Sequence, residues 1–215
     1  MHFDLLVEDK SGKKSLDILL PRIIGTEHTY KVIAYKGVGR IPRNMKNPED
    51  ASKRILLENL PKLLRGYGKT YAGYGKYKAA VIVVCDLDKK CLRAFKKELI
   101  KIHDACVPKP LARFCFAIEE GEAWFLGDIN AIEKAYPDYD GKIISSYVND
   151  SICDTWELLA DAIYPGGARK LKEMGWQTIG AEKSIWAEKI APHMSLDKNK
   201  SPSFCYFRNK LTELL

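Results

Sequence analysis

The stretch AAVIVVCDLDKK, residues 79–90, decides the fold. Ala79 to Cys85 is an unbroken run of small or branched apolar residues. Such a run reads as a strand covered on both faces, as in a parallel sheet beneath helices. It ends at Asp86-Leu87-Asp88. In open α/β sheets, chemistry sits beyond the carboxyl ends of the strands. Two carboxylates one residue apart at such an end can converge on a hard cation such as Mg²⁺ or Mn²⁺. The same residues would also serve as caps for the helix that follows, since Asp is favoured at helix N-termini.

Strand and helix patterns alternate on either side of this stretch. Residues 2–8, HFDLLVE, read as a first strand ending at Glu8. Ser11 is placed to cap a helix whose apolar face is Leu16, Leu19, Leu20 and Ile23, with Pro21 an awkward presence near its end. Tyr30 to Tyr35 read as a second strand. Asn47-Pro48 predict the start of a long helix carrying Ile55, Leu56, Leu60, Leu63 and Leu64. The repeat GYGKTYAGYGKYK, residues 66–78, reads as a loop. Beyond the central strand, Leu92, Phe95, Leu99 and Ile102 predict a basic helix facing the sheet. LARFCFAI, residues 111–118, is the fourth strand. It runs into Glu119-Glu120-Gly121-Glu122 and a helix containing Trp124, whose ring is expected to fill the core beside the fourth strand.

This order predicts an α/β fold, with a mostly parallel sheet flanked by helices, over residues 1–136. Residues 137–150 are rich in Pro, Asp and Gly and read as a connecting loop. The remainder of 137–215 reads as a helical C-terminal extension packed on the sheet domain.

Composition narrows the class. The 46% hydrophobic and 29% charged content is that of an ordinary globular protein. No apolar run approaches a membrane span, and the N-terminus lacks the basic start and cleavage site of a signal peptide. The six cysteines include no C-x-x-C pair, which argues against a zinc site and for buried free thiols. Together these features predict a cytoplasmic location. The net charge of +7 suits a polyanionic partner.

Three of the four strands end in acids: Glu8, then Asp86 and Asp88, then Glu119, Glu120 and Glu122. In a parallel sheet these carboxylates emerge at one edge, where they repel unless a cation or a proton joins them. Glu8 on the first strand with Asp86-x-Asp88 on the third resembles the Toprim arrangement of topoisomerases, primases and overcoming-lysogenization-defect nucleases. The phrases LLVEDKSGKKSLDILLPRII, VVCDLDKK, IEEGEAWFLGD and IAPHMSLDKNKSPSFCYFRNKL extend the likeness over most of the chain, to a bacterial and archaeal Toprim-like family of unknown function often encoded near ATPases. The Gly that often follows the first Glu is Asp9 here, and no Gly closely follows Asp88.

The resemblance implies a Mg²⁺- or Mn²⁺-dependent phosphodiesterase or nuclease acting on DNA or RNA, and allows it to be the effector of an ATPase-linked phage-defence system. Asp86 and Asp88 would hold metal, and Glu8 would hold metal or act as general acid or base. Glu119 and Glu122 join the candidate catalytic set. The alternative is a catalytically silent nucleic-acid-binding or adaptor subunit that keeps the fold.

Further candidates lie outside the acids. GYGKT at residues 66–70 fails as a nucleotide loop, because the required first Gly is Leu63. Lys69 and Lys76 could still meet phosphates, with Tyr67 and Tyr74 on bases, if the segment is not simply a solvated loop. Lys198, Lys200 and Ser201 could bind a phosphate backbone or form a solvated connector, and Arg208 is a further candidate cation. His193 is a candidate proton carrier or a residue that ends a helix.

Overall fold

A computed structural model describes residues 1–42, 51–75, 78–151 and 154–215. Strands β1 (His2–Val7), β2 (Thr29–Ala34), β3 (Ala79–Asp86) and β4 (Ala112–Ala117) form a sheet in the order β2-β1-β3-β4, and every pairing is parallel. Helices α1 (Lys10–Ile24), α2 (Leu56–Ala72) and α3 (Leu92–Asp104) are the crossovers. Then come α4 (Glu122–Leu126), α5 (Ile129–Ala135), α6 (Gly141–Ile144), α7 (Thr155–Ile163), α8 (Gly167–Met174), α9 (Trp176–Ile190) and α10 (Pro202–Thr212).

β3 is the buried centre of the sheet: Val81, Ile82 and Val83 are fully buried and Val84 nearly so. The period-2 alternation of strand side chains divides the core. Phe3, Leu5, Val7, Ile82 and Val84 face α1 and the C-terminal helices, whereas Leu6, Val81, Val83 and Cys85 face α2 and α3. The first core continues through Trp156, Trp186, Phe204, Phe207 and Leu211, so the C-terminal helices and the sheet share one hydrophobic interior. Trp124 locks the two together. Its ring stacks on Phe207 at 5.0 Å and meets Phe204 edge-on, and its indole N–H donates to Ser203 Oγ at 3.1 Å.

Several local expectations are corrected. Asp9, not Ser11, caps α1: Asp9 Oδ1 accepts from the Gly12 amide at 2.7 Å, and the Ser11 hydroxyl donates to Asp9 Oδ2. Pro21 stays inside α1. The carbonyl it leaves without a helical donor, that of Asp17, accepts from Tyr30 Oη at 3.2 Å. The expected Asn47-Pro48 helix start falls outside the described residues. α2 begins only at Leu56, where the carbonyls of Gly37 and Val38 accept from the Leu56 and Leu57 amides. Leu92 is exposed, while Phe95, Leu99 and Ile102 are buried as expected. Residues 137–150 are not all loop, because α6 forms there and buries Ile144. Of the described cysteines, all are free thiols; Cys85, Cys106 and Cys115 are buried and Cys91 is exposed.

The GYGKTYAG segment is helix, not loop, through Ala72. Tyr67, Tyr71 and Tyr74 recur at helical spacing, and adjacent rings pack at 5.4 and 5.5 Å. Tyr71 Oη donates to the buried Asp4 carboxylate at 2.7 Å. Gly68 is required by contact, since a Cβ there would lie 1.9 Å from the Pro108 carbonyl oxygen. A glycine that reads as a loop signal is here a point of close approach between a helix and its neighbour.

Candidate active site

The pairing of Val7 with Val84 brings the end of β1 level with the end of β3, so Glu8 lies beside Asp86. Glu8 Oε2 accepts from the Asp86 amide at 3.4 Å. Burial, reinforced by the charges of Asp88 and Asp9, pushes the Glu8 carboxyl up to about 7. Burial and then the charge of Glu8 push Asp86 well above the usual carboxylate range, against the pull of Lys183. Both side chains line a cavity of about 40 Å³, together with Asp9, Gly12 and Gly121. That is room for one or two waters.

Lys183 of α9 completes this edge. Its side chain is 14% exposed, and its ammonium lies 3.0 Å from Glu122 and 3.5 Å from Glu120. Burial alone would lower the Lys183 pKa, but Glu122, Glu120, Asp86 and Asp9 outweigh it and hold the ammonium charged. In return Lys183 opposes the rise that burial imposes on Glu120, which reaches about 7, and on Glu122. A second small cavity is walled by Asp9, Asp86, Glu122 and Lys183. The acidic edge is therefore built from both ends of the chain.

The structure sorts the other candidates. Asp88 takes a left-handed backbone, φ 49°, and its carboxylate is paired with Lys90. Glu119, φ 61°, turns the other way: its two oxygens accept from the Asp154 and Thr155 amides at 2.9 and 2.8 Å, capping the start of α7. Glu122 belongs to the cluster and Glu119 to the scaffold. Lys69 is exposed in the last turn of α2, and Lys76 lies outside the described residues. Ser201 is buried as the cap of α10, so it is not a phosphate donor. Arg208 of α10 donates to the Leu196 carbonyl and pairs with Asp197 at 3.4 Å, which ties it to the segment preceding its own helix. Lys198 and Lys200 are exposed and line a separate cleft, as does His193.

Lys183 and Asp9 escaped the sequence reading. A signal for Lys183 exists: it falls on the stripe Ile179, Trp186, Ala187, Ile190 that α9 buries, where a lysine needs a partner.

Among the described residues no three His, Cys, Asp or Glu side chains converge as ligands for one metal ion. The expected Glu8, Asp86, Asp88 cage is thus not formed. Glu8 and Asp86 do share a cavity, both have raised proton affinity, and the charge of Glu8 adds to the rise at Asp86, which a cation would relieve. The pair fits a Mg²⁺ ion that takes one or two carboxylates and keeps several waters.

The chain belongs to the family described as domain of unknown function (DUF4276), which matches residues 7–212. No curated protein and no solved structure matches it. No helix among the described residues is long and apolar enough to cross a membrane.

Proposed function

We propose that the acidic edge is the active site of a Toprim-like, Mg²⁺- or Mn²⁺-dependent phosphodiesterase acting on DNA or RNA. The observation that carries this reading is the side-by-side placement of Glu8 and Asp86 at the ends of adjacent parallel strands, lining one cavity. These two residues would hold the metal. Such an ion, when bound, polarises a phosphate and lowers the pKa of a coordinated water.

The chain's own groups have distinct tasks. Glu8, with a pKa near 7, carries or releases a proton close to neutral pH when metal is absent. Lys183 holds Glu120 and Glu122 in place and leaves a positive charge beside the carboxylates, where an anionic phosphate would otherwise be repelled. Asp9 fixes the start of α1 against the same cavity.

A second reading is a catalytically silent nucleic-acid-binding or adaptor subunit. It is favoured by the partners already in place: Lys183 on Glu122 and Lys90 on Asp88. Calorimetry with Mg²⁺ and Mn²⁺, alongside cleavage of labelled single- and double-stranded DNA and RNA, separates the two. The phosphodiesterase reading expects metal-dependent cleavage that Glu8→Gln and Asp86→Asn abolish. Binding of nucleic acid with no cleavage, unchanged by either substitution, would establish the silent subunit instead.

A further inference from the structure

The cleft lined by Lys198 and Lys200 is separate from the acidic edge and has the opposite charge. It encloses about 490 Å³, within the usual range of small-molecule sites. Lys134 of α5 joins the two loop lysines around it, and His193 stands at its wall. Lys134, Lys198 and Lys200 make no ion pair among the described residues, unlike Lys90 and Lys183. The acid in the lining, Asp128, is already committed: its oxygens accept from the Ala131 amide at 3.3 Å and the Ser195 amide at 2.6 Å. Its oxygens are thereby held by the scaffold, and the three lysines that line the same concavity outnumber it in charge.

The loop that carries two of them is held firmly. The Lys200 amide donates to the Gly127 carbonyl at 2.8 Å, the Lys198 amide to Ser195 Oγ at 3.0 Å, and Asn199 Nδ2 to the Trp124 carbonyl at 2.8 Å. Asn199 is itself buried, and a Cβ on Gly127 would lie 2.3 Å from its Oδ1. The backbone positions of Lys198 and Lys200 are therefore held by hydrogen bonds on either side of the buried Asn199 before any ligand arrives, which lowers the ordering cost of binding. In the same lining, Ile129, Ile144 and Tyr147 contribute apolar surface, and Asn130 and Asn149 contribute amide groups. A multiply charged anion attached to a flat, partly apolar ring system matches that lining.

We propose that this cleft binds the phosphates of a nucleotide through Lys134, Lys198 and Lys200, with the apolar surface against its sugar and base. The nucleotide is either free or a link in a strand; the phosphate chemistry is the same. The proposal does not depend on cleavage at the acidic edge.

The test is fluorescence anisotropy in EDTA at low salt, with a labelled 12-nucleotide single strand of DNA, its RNA counterpart, and a fluorescent ADP. The triple variant Lys134→Gln, Lys198→Gln, Lys200→Gln is compared with a control triple, Lys62→Gln, Lys97→Gln, Lys101→Gln. All six lysines are exposed, and the two variants change net charge equally. The cleft variant is expected to weaken at least one probe tenfold or more. For a strand, its salt dependence should also flatten by about 2 to 3 units of log–log slope. The control should shift affinity far less. Loss confined to the oligonucleotides identifies a strand as the occupant, and loss confined to ADP a free nucleotide; either supports the proposal. Equal losses in the two triples, or no binding of any probe by the parent protein, would overturn it.

Discussion

Two charged regions lie at the ends of the short helix α4. Glu122 opens it, nearly fully buried, and faces Lys183; Leu126 closes it at the wall of the basic cleft. At the first end like charges are buried, and each is answered by a partner or by a raised proton affinity. At the second the lysines are exposed and unpaired among the described residues. The difference follows from solvation. Water screens exposed ammonium groups at little cost, so they can wait for a ligand, while carboxylates removed from water must be compensated within the fold. Buried charge thus acts as structure at one end of α4, and exposed charge as a free surface at the other.

The sharpest way to break this contrast is to remove the buried cation. Lys183→Met leaves Glu122 and Glu120 without their partner and is expected to destabilise the fold by about 3–5 kcal/mol, read as a drop in the denaturant midpoint. Adding Glu122→Gln should recover part of that loss. A Lys183→Met protein as stable as the parent would mean that the acids are not held by this contact.

Next in size is the effect on chemistry. Asp86→Asn and Glu8→Gln should reduce metal-dependent cleavage by about 100-fold or more, yet leave stability unchanged or raised, because each removes one of two mutually repelling carboxylates. A large stability loss from either would show the pair to be structural.

A smaller effect is expected with pH, in EDTA. Glu8 and Glu120 titrate near 7 in the fold, above their ordinary value of 4.5. The folded protein therefore holds protons that the unfolded chain has released between about pH 4.5 and 7. Their contribution to stability is full below about 4.5 and is lost as pH rises through 7. Denaturant midpoints should fall from pH 5 to pH 8 for this reason, and Glu8→Gln should flatten part of the slope. A profile identical in parent and variant would remove Glu8 from the account.

The smallest effect completes the contrast. Lys198→Gln and Lys200→Gln, the same loss of a lysine charge but at the exposed end of α4, should change stability by no more than about 0.5 kcal/mol. A loss comparable with that of Lys183→Met would erase the distinction between the two regions.

Much of this was legible along the chain. The apolar run 79–85, the alternation of strand and helix patterns and the acids after three strands led to a parallel sheet with an acidic edge, and Glu8 and Asp86 lie together there. The misreadings share a cause. Gly66 and Gly68 suggested a loop because glycine marks turns, but Gly68 is a packing contact with Pro108 that local propensity does not encode. Glu119 and Asp88 sit in the same acid-rich phrases as Glu122 and Asp86. Only the left-handed turns at both sites send one to the amides of α7 and the other toward Lys90.

The sequence by itself determined the class of fold, the burial of β3 and the edge at which acids would gather, because strand periodicity and strand direction are local and fix which end of a parallel sheet carries them. Only the tertiary structure decided which carboxylates meet. It brings Lys183 of α9 to Glu122 across the interior, because the C-terminal helices share the core of β1 and β3. It also gathers Lys134, Lys198 and Lys200 around one cleft from segments far apart in the chain. Those juxtapositions come from long-range packing, and the energy of each depends on burial and partners that no short stretch of residues contains.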